Sequence, residues 1–87
     1  MVEAVSAKQI ASEVKIFLAR ELLPDTEIDD RTRLIGSGYL TSIAIVKLVT
    51  FLEGQYGIEV LPHEMDEEHF DTLPRIARLV LSKRGAG

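Results

Sequence analysis

The sequence predicts an all-α fold of three main helices and one short helix, with a long first loop. Three segments carry apolar residues at steps of three and four, which is the spacing of one buried face of a helix. Each segment starts beside a Ser, Thr or Asp that can cap a helix and ends near a Pro or Gly. The one strand-like run, from Ile58 to Leu61, is short and has no partner strand, so we expect an extended loop ending at Pro62.

The first helix is expected to begin after Ser6 and to end near Leu23. Ser6 fits the N-cap of a capping box in which the Gln9 side chain reaches back. Pro24 disfavours helical geometry in the residue before it, so the helix should stop there. The predicted core face of this helix consists of Ile10, Val14, Phe17, Leu18 and Leu22.

A long connection, residues 24–40, follows the first helix. It is rich in residues that form turns, namely Asp25, Asp29, Asp30, Gly36, Ser37 and Gly38. The apolar residues that could anchor it to the core are Ile28, Leu34, Ile35 and Leu40. Long ordered connections are unusual in a small domain and often carry function.

The second helix has two candidate N-caps, Thr41 and Ser42, and should run to about Tyr56 before a left-handed Gly57. Its predicted core stripe consists of Ile45, Leu48, Val49, Leu52 and Tyr56. A second stripe lies on another side of the same helix and consists of Ile43, Val46 and Thr50. Folding does not require two apolar faces. The second stripe is therefore either covered by the long loop or left exposed to bind a partner.

The last third of the chain predicts one short and one long helix. Asp66 to Phe70 should form a helical turn with Phe70 pointing inward. Either Asp71 or Thr72 then caps the last helix, which Gly85 should stop. The predicted apolar face of that helix consists of Leu73, Ile76, Ala77, Val80 and Leu81.

Length and composition favour a small module without catalytic activity. The 87 residues suffice for one domain, with an ordered core over about 5–84, but leave little volume for a deep cleft. A net charge of −4 disfavours nucleic acid, and no apolar run approaches the length of a membrane span. The chain has no cysteine and no segment resembling a signal peptide. We therefore expect a cytoplasmic monomer that is not an enzyme and binds neither nucleic acid nor membrane.

Ser42 is the residue at which chemistry is most plausible. It stands at the start of an apolar helix, directly after a glycine-containing loop. A helix N-terminus presents N–H groups and partial positive charge, which favour a phosphate ester on a serine placed there. The alternative is an ordinary N-cap serine, because such caps are common.

The residues around Ser42 resemble the acyl carrier protein family. The stretch from Leu34 to Ile43 is followed by an apolar helix and then by Gly57-Ile58-Glu59-Val60. Family members typically show an Asp-Ser-Gly turn, an Asp-Ser-Leu motif, an apolar helix and a Gly-Ile-Glu-Ile-Pro segment. The similarity extends over nearly the whole chain, and the helix positions that carry it are Val46, Leu48, Val49, Leu52, Glu53 and Tyr56.

This resemblance implies an acyl-carrier-protein-like four-helix bundle, with residues 1–87 as a single carrier domain. By position, Ser42 would receive 4′-phosphopantetheine from coenzyme A, and the thiol of that arm would hold an acyl or aminoacyl thioester. The implied partners are a phosphopantetheinyl transferase, an acyl- or aminoacyl-loading ligase, and a downstream acyltransferase, ketosynthase or condensation enzyme. No catalytic residue and no metal is implied for the chain itself.

Two departures from the family pattern indicate the kind of carrier. Thr41 and Gly36 stand where the family usually has Asp, and Ala44 and Lys47 stand where fatty-acid carriers are acidic. Steering by charge should therefore be weak on the second helix. We expect partner enzymes to dock on a mainly uncharged surface made of Thr41, Ile43, Val46 and Lys47. This surface favours specialised polyketide, nonribosomal peptide or hybrid biosynthesis over fatty-acid synthesis.

The acidic segment 63–74 allows three interpretations. It is similar to the third-helix region of D-alanyl carrier proteins, which hold an amino acid as a thioester. His63 and His69 among acidic neighbours could also suggest a metal, but their spacing matches no familiar ligand pattern. A solvated acidic loop is the preferred interpretation of these side chains.

Two other function classes stay open beside the carrier. The same fold without the arm would be an unmodified helical module for protein interaction. A helix-turn-helix DNA binder is a third class, which the net charge and the apolar second helix disfavour.

Overall fold

The computed structural model describes residues 6–86, which form helices, turns and loops without a strand. The elements are α1 (Ala7–Phe17), a π-helical turn (Leu18–Leu22), α2 (Ser42–Tyr56), a 3-10 turn (Pro62–Glu64), α3 (Glu67–Phe70) and α4 (Leu73–Ala86). Three main helices and a short one confirm the predicted all-α class. Val5, the first residue of the expected ordered core, lies outside the described residues.

Both ends of α1 follow local signals in the sequence. The Ser6 hydroxyl accepts a hydrogen bond from the Gln9 N–H at 3.0 Å, which confirms the N-cap. The Gln9 side-chain nitrogen donates to the Glu13 carboxylate at 3.3 Å, and the return bond of the capping box, which would use the Gln9 side-chain oxygen, stays a prediction. At the other end the chain widens into the π turn, where the Leu23 N–H donates to the Leu18 carbonyl at 2.6 Å, and the helix stops before Pro24.

Thr41 is the residue that caps α2. Its hydroxyl accepts from the Ala44 N–H at 3.3 Å, so Ser42 becomes the first helical residue. At the carboxyl end, Gly57 takes the left-handed conformation with φ of 67° and donates its N–H to the Glu53 carbonyl. This confirms the predicted end of the helix. A residue with a side chain would adopt this left-handed conformation only at a steric cost.

The segment after α2 leads to the two C-terminal helices. Residues 58–61 form a loop and no strand, as predicted, with Leu61 in an extended conformation, and the Val60 N–H donates to the Glu53 carboxylate at 3.0 Å. Asp66 caps α3 by accepting from the His69 N–H at 3.1 Å, and Phe70 points into the core.

Helix α4 begins and ends differently from part of the prediction. The Thr72 hydroxyl accepts from the Arg75 N–H at 3.3 Å, so Thr72 rather than Asp71 is the cap. The prediction that Gly85 stops the helix is wrong, because α4 continues to Ala86. Gly85 has no positive φ, and glycine in a last helical turn costs only about 1 kcal/mol relative to alanine.

One hydrophobic core joins all the helices. Helix α4 contacts α1, α2 and α3, so more than one of its faces is covered. For this reason Leu79 is buried although its position lies off the predicted face, whereas Leu81 is only half-buried. The long loop is anchored as predicted by Ile28, Leu34 and Leu40, which are at most 5% exposed. A Cα radius of gyration of 12.1 Å matches the value of about 12 Å expected for a chain of this length.

Candidate functional site

The Ser42 hydroxyl lies on the surface at the first turn of α2. Ser42 is exposed, and the capping hydrogen bond at this helix end is made by the neighbouring Thr41. The interpretation of Ser42 as an ordinary N-cap serine is therefore wrong. Its hydroxyl is left accessible for a reaction, which a capping hydroxyl directed into its own helix end would not be.

The local electrostatics suit a phosphate on Ser42. The first turn of α2, which the structure describes in full, carries no acidic side chain, so no carboxylate offsets the positive end of the helix dipole. The first N–H groups of a helix have no partner within the helix, and here only the Ala44 N–H is taken by the cap. A phosphate ester on Ser42 would lie beside these donors.

A set of hydrogen-bonded turns leads directly to Ser42, and we call residues 33–41 the Ser42 loop. The Ser37 N–H donates to the Arg33 carbonyl and the Gly38 N–H to the Ile35 carbonyl, both at 2.9 Å. Gly38 has a φ of 82°, at which a residue with an L side chain would be strained. These contacts confirm the turn predicted at Gly36-Ser37-Gly38.

The Ser42 loop is held from beneath by the buried Asp71. The Asp71 carboxylate is 0% exposed and accepts from the N–H groups of Ile35 and Gly36, each at 2.9 Å. The Arg33 guanidinium also donates to this carboxylate, and the Leu34 N–H donates to the Asp71 carbonyl at 2.6 Å. The sequence suggested Asp71 only as a helix cap. The available signal was its place directly after Phe70 and two residues before Leu73, two apolar residues expected in the core, because a carboxylate buried there needs several donors.

Burial raises the pKa of the Asp71 carboxyl, but hydrogen bonds from the Gly36 N–H and the Arg33 guanidinium outweigh it and hold the pKa below the ordinary 3.8. The ionised group thus contributes stability above pH 3.8, and this contribution is lost as the pH falls through the lowered folded value. We expect the free energy of unfolding, measured by urea titration at several pH values, to fall more steeply in wild type than in Asp71→Asn below about pH 4.

Identical acid dependence in wild type and Asp71→Asn would contradict this assignment. The dependence should not vanish in the variant, because other hydrogen-bonded carboxyl groups also have lowered pKa values, namely Glu13, Asp29, Glu64 and Asp66. Only the difference between the two proteins reports on Asp71.

The second stripe of α2 is open to solvent. Ile43 is 72% and Val46 56% exposed, while Thr50 turns its hydroxyl back to the Val46 carbonyl at 3.0 Å. The long loop therefore leaves this stripe uncovered. Thr41 and Lys47 are exposed beside it, so the four residues predicted for docking share one accessible surface next to Ser42.

The opposite end of α2 is closed by aromatic packing. The rings of Phe17 and Phe51 stack with centroids 4.3 Å apart, which joins α1 to α2. The Tyr56 hydroxyl donates to the Glu13 carboxylate. Burial raises the pKa of Tyr56 and the bond to Glu13 raises it further, so the hydroxyl stays a donor at neutral pH. This end of α2 serves the bundle and not the site.

The structure supplies no metal centre to the site. Among residues 6–86, no group of three His, Asp or Glu side chains could hold a metal ion. The His69 ring contacts the Asp66 carboxylate at 2.7 Å, and His63 is exposed. No helix within the described range is long and apolar enough to cross a membrane.

The chain was compared with protein-family models, and no family model matches it. A comparison with curated proteins also gives no match.

Proposed function

We propose that this protein is a phosphopantetheine-dependent carrier with Ser42 as the attachment residue. The observation that carries the proposal is the exposed Ser42 hydroxyl at the first residue of α2, with the N-cap supplied by Thr41. An accessible hydroxyl beside unpaired helical N–H groups is a favourable position for a phosphodiester.

The carrier we propose is a stand-alone one of the acyl and peptidyl carrier type, serving specialised polyketide, nonribosomal peptide or hybrid biosynthesis. Three helices, a short α3 and a long ordered first loop are compatible with an acyl-carrier-protein-like four-helix bundle. The resemblance around Leu34 to Ile43 supports the class, and the uncharged first turn of α2 supports the specialised pathway. The proposal includes a single domain that acts as a monomer in the cytoplasm.

In the proposed reaction the Ser42 oxygen bonds to phosphorus and the pyrophosphate link of coenzyme A breaks. The hydroxyl proton passes to the transferase, and the adenosine bisphosphate leaves. The thiol of the attached arm then carries an acyl or aminoacyl thioester. Because that thiol belongs to the arm, a chain without cysteine can take part in thioester chemistry.

The partners follow from this division of labour. A phosphopantetheinyl transferase adds the arm, a ligase loads it, and an acyltransferase, ketosynthase or condensation enzyme unloads it. All of them must approach Ser42, and the exposed Ile43 and Val46 lie next to it on α2. Apolar contact with limited charge steering is expected there.

The experiment that tests the proposal is intact-mass measurement after incubation with coenzyme A and a broad-specificity transferase. We expect the mass to increase by one phosphopantetheine group per chain. An unchanged mass under conditions that fully modify a known carrier would contradict the proposal.

A second candidate is an unmodified helical interaction module, and the exposure of Ile43 favours it as much as it favours a carrier. Apolar side chains of this size are usually buried, so their exposure indicates a surface for a partner. An unchanged mass together with partner binding that Ile43→Ala weakens would support the module.

A further inference from the structure

Asp71 stands apart from the other carboxylates because every hydrogen bond that its carboxylate accepts comes from the Ser42 loop. We propose that Asp71 is a positioning residue, which holds the Ser42 loop in the conformation that presents Ser42 to the transferase. This inference rests on the proposed function of Ser42 as the attachment residue. It assigns to a buried side chain on the α3–α4 junction a role in a reaction at the start of α2.

The connection from Asp71 to Ser42 is short and continuous. The Leu34 N–H donates to the Asp71 carbonyl, and the Leu34 carbonyl accepts from the Leu40 N–H at 2.9 Å. Leu40 directly precedes Thr41, which caps the helix on which Ser42 is the first residue. Three hydrogen bonds to the Asp71 carboxylate and one to its carbonyl therefore set the path of the chain into the site.

Apart from its own turn hydrogen bonds, the tip of the Ser42 loop has no buried side chain to support it. Residues 36–39 are all exposed, and only Leu34 and Leu40 are buried within residues 33–41. Two apolar anchors fix the ends of the loop, whereas Asp71 fixes the backbone between them through Ile35 and Gly36. Loss of the carboxylate should thus loosen the tip while the bundle stays folded.

A loosened Ser42 loop should weaken binding of the carrier to the transferase. In Asp71→Asn, an NH2 group replaces the oxygen that accepts from Arg33, and the remaining neutral oxygen is a weaker acceptor for the Ile35 and Gly36 N–H groups. The loop then populates several conformations. The transferase then binds only the competent fraction, and its apparent affinity falls by that fraction. We expect the KM for the carrier to rise about tenfold in Asp71→Asn, with kcat nearly unchanged, because the bound complex is the same.

The test measures transfer of phosphopantetheine to the full chain with coenzyme A and a broad-specificity transferase. Arg33→Gln is the second variant, since Arg33 is largely exposed and its loss should not prevent folding. It should raise the KM about threefold. Tyr56→Phe is the matched control, because it removes a side-chain hydrogen bond at the opposite end of α2 and should leave the KM unchanged. Helical circular dichroism verifies that each protein is folded.

Amide hydrogen exchange gives an independent measure of the loop. The N–H groups of Ile35 and Gly36 should exchange about tenfold faster in Asp71→Asn, while core amides of α4 keep a protection set by global stability. A merely structural role of Asp71 would change all these amides together.

Each outcome is decisive. A wild-type KM in folded Asp71→Asn, or an equal rise in Tyr56→Phe, would overturn the positioning role while Ser42 remains the attachment residue. If Asp71→Asn does not fold, a wild-type KM in Arg33→Gln overturns it. If wild type itself accepts no group, the proposed function fails, and the inference that rests on it fails too.

Discussion

Replacing Ser42 by alanine is expected to abolish transfer of phosphopantetheine to the chain. The Ser42 oxygen is the atom that would form the phosphodiester, and alanine has no oxygen to replace it. The neighbouring Thr41 hydroxyl is secondary, β-branched and occupied by the cap on Ala44, so it is a poor substitute. Intact mass after incubation with coenzyme A and transferase measures the loss.

Ser37→Ala is the matched control for this prediction. Ser37 is also an exposed serine and lies five positions earlier in the Ser42 loop, but in a turn and not at a helix start. The Ser37→Ala protein should gain one phosphopantetheine group, as the wild-type protein does. A mass gain that survives Ser42→Ala and disappears in Ser37→Ala would move the attachment site into the loop.

Stability measurements show whether Ser42→Ala has a merely structural effect. Ser42 is exposed and does not cap α2, so its replacement should change the free energy of unfolding by no more than about 0.5 kcal/mol. Loss of transfer by a protein of unchanged stability would then be a property of the hydroxyl.

Leu48→Ala is expected to destabilise the protein by about 3 kcal/mol, whereas Ile43→Ala should change stability by less than about 0.5 kcal/mol. Both residues are four-carbon aliphatic side chains on α2. Leu48 is 0% exposed and lies in the core, while Ile43 is 72% exposed. A cavity forms only where packed neighbours surround the deleted atoms. Urea titration of the two variants measures the difference.

The Leu48→Ala and Ile43→Ala variants also distinguish an effect on folding from an effect on docking of the transferase. Leu48→Ala should retain modification by the transferase wherever it is folded, whereas Ile43→Ala should raise the KM for the carrier without loss of stability. Equal destabilisation by both substitutions would show that the second stripe of α2 is packed in solution. In that case Ile43 could not belong to a docking surface.

Local signals in the sequence predicted most helix boundaries. Ser6 caps α1, Pro24 follows the π turn that extends this helix, and Gly57 terminates α2 in the left-handed conformation. Each of these depends on one residue and its nearest neighbours, so no knowledge of the fold was required. The core stripe of α2 was predictable for the same reason, since helical spacing places Leu48, Leu52 and Tyr56 on one face.

Choices between adjacent or equivalent residues were not predictable in this way. Thr41 and Ser42 are both good caps by residue type, and only the structure shows that Thr41 makes the capping bond. Gly85 resembled a helix end, but α4 passes through it. Leu79 was predicted off the apolar face and is buried, because α4 has neighbours on several sides.

The sequence by itself therefore determined an all-α chain with a serine at the start of an apolar helix, through local propensity and periodicity. Tertiary structure decided that the Ser42 hydroxyl is exposed and relieved of capping, that the stripe with Ile43 is uncovered, and that Asp71 supports the Ser42 loop. The last of these depends on residues more than 30 positions apart in the chain meeting in space, as Asp71 meets Ile35 and Gly36. No local rule encodes such a meeting, because it arises only when the helices pack.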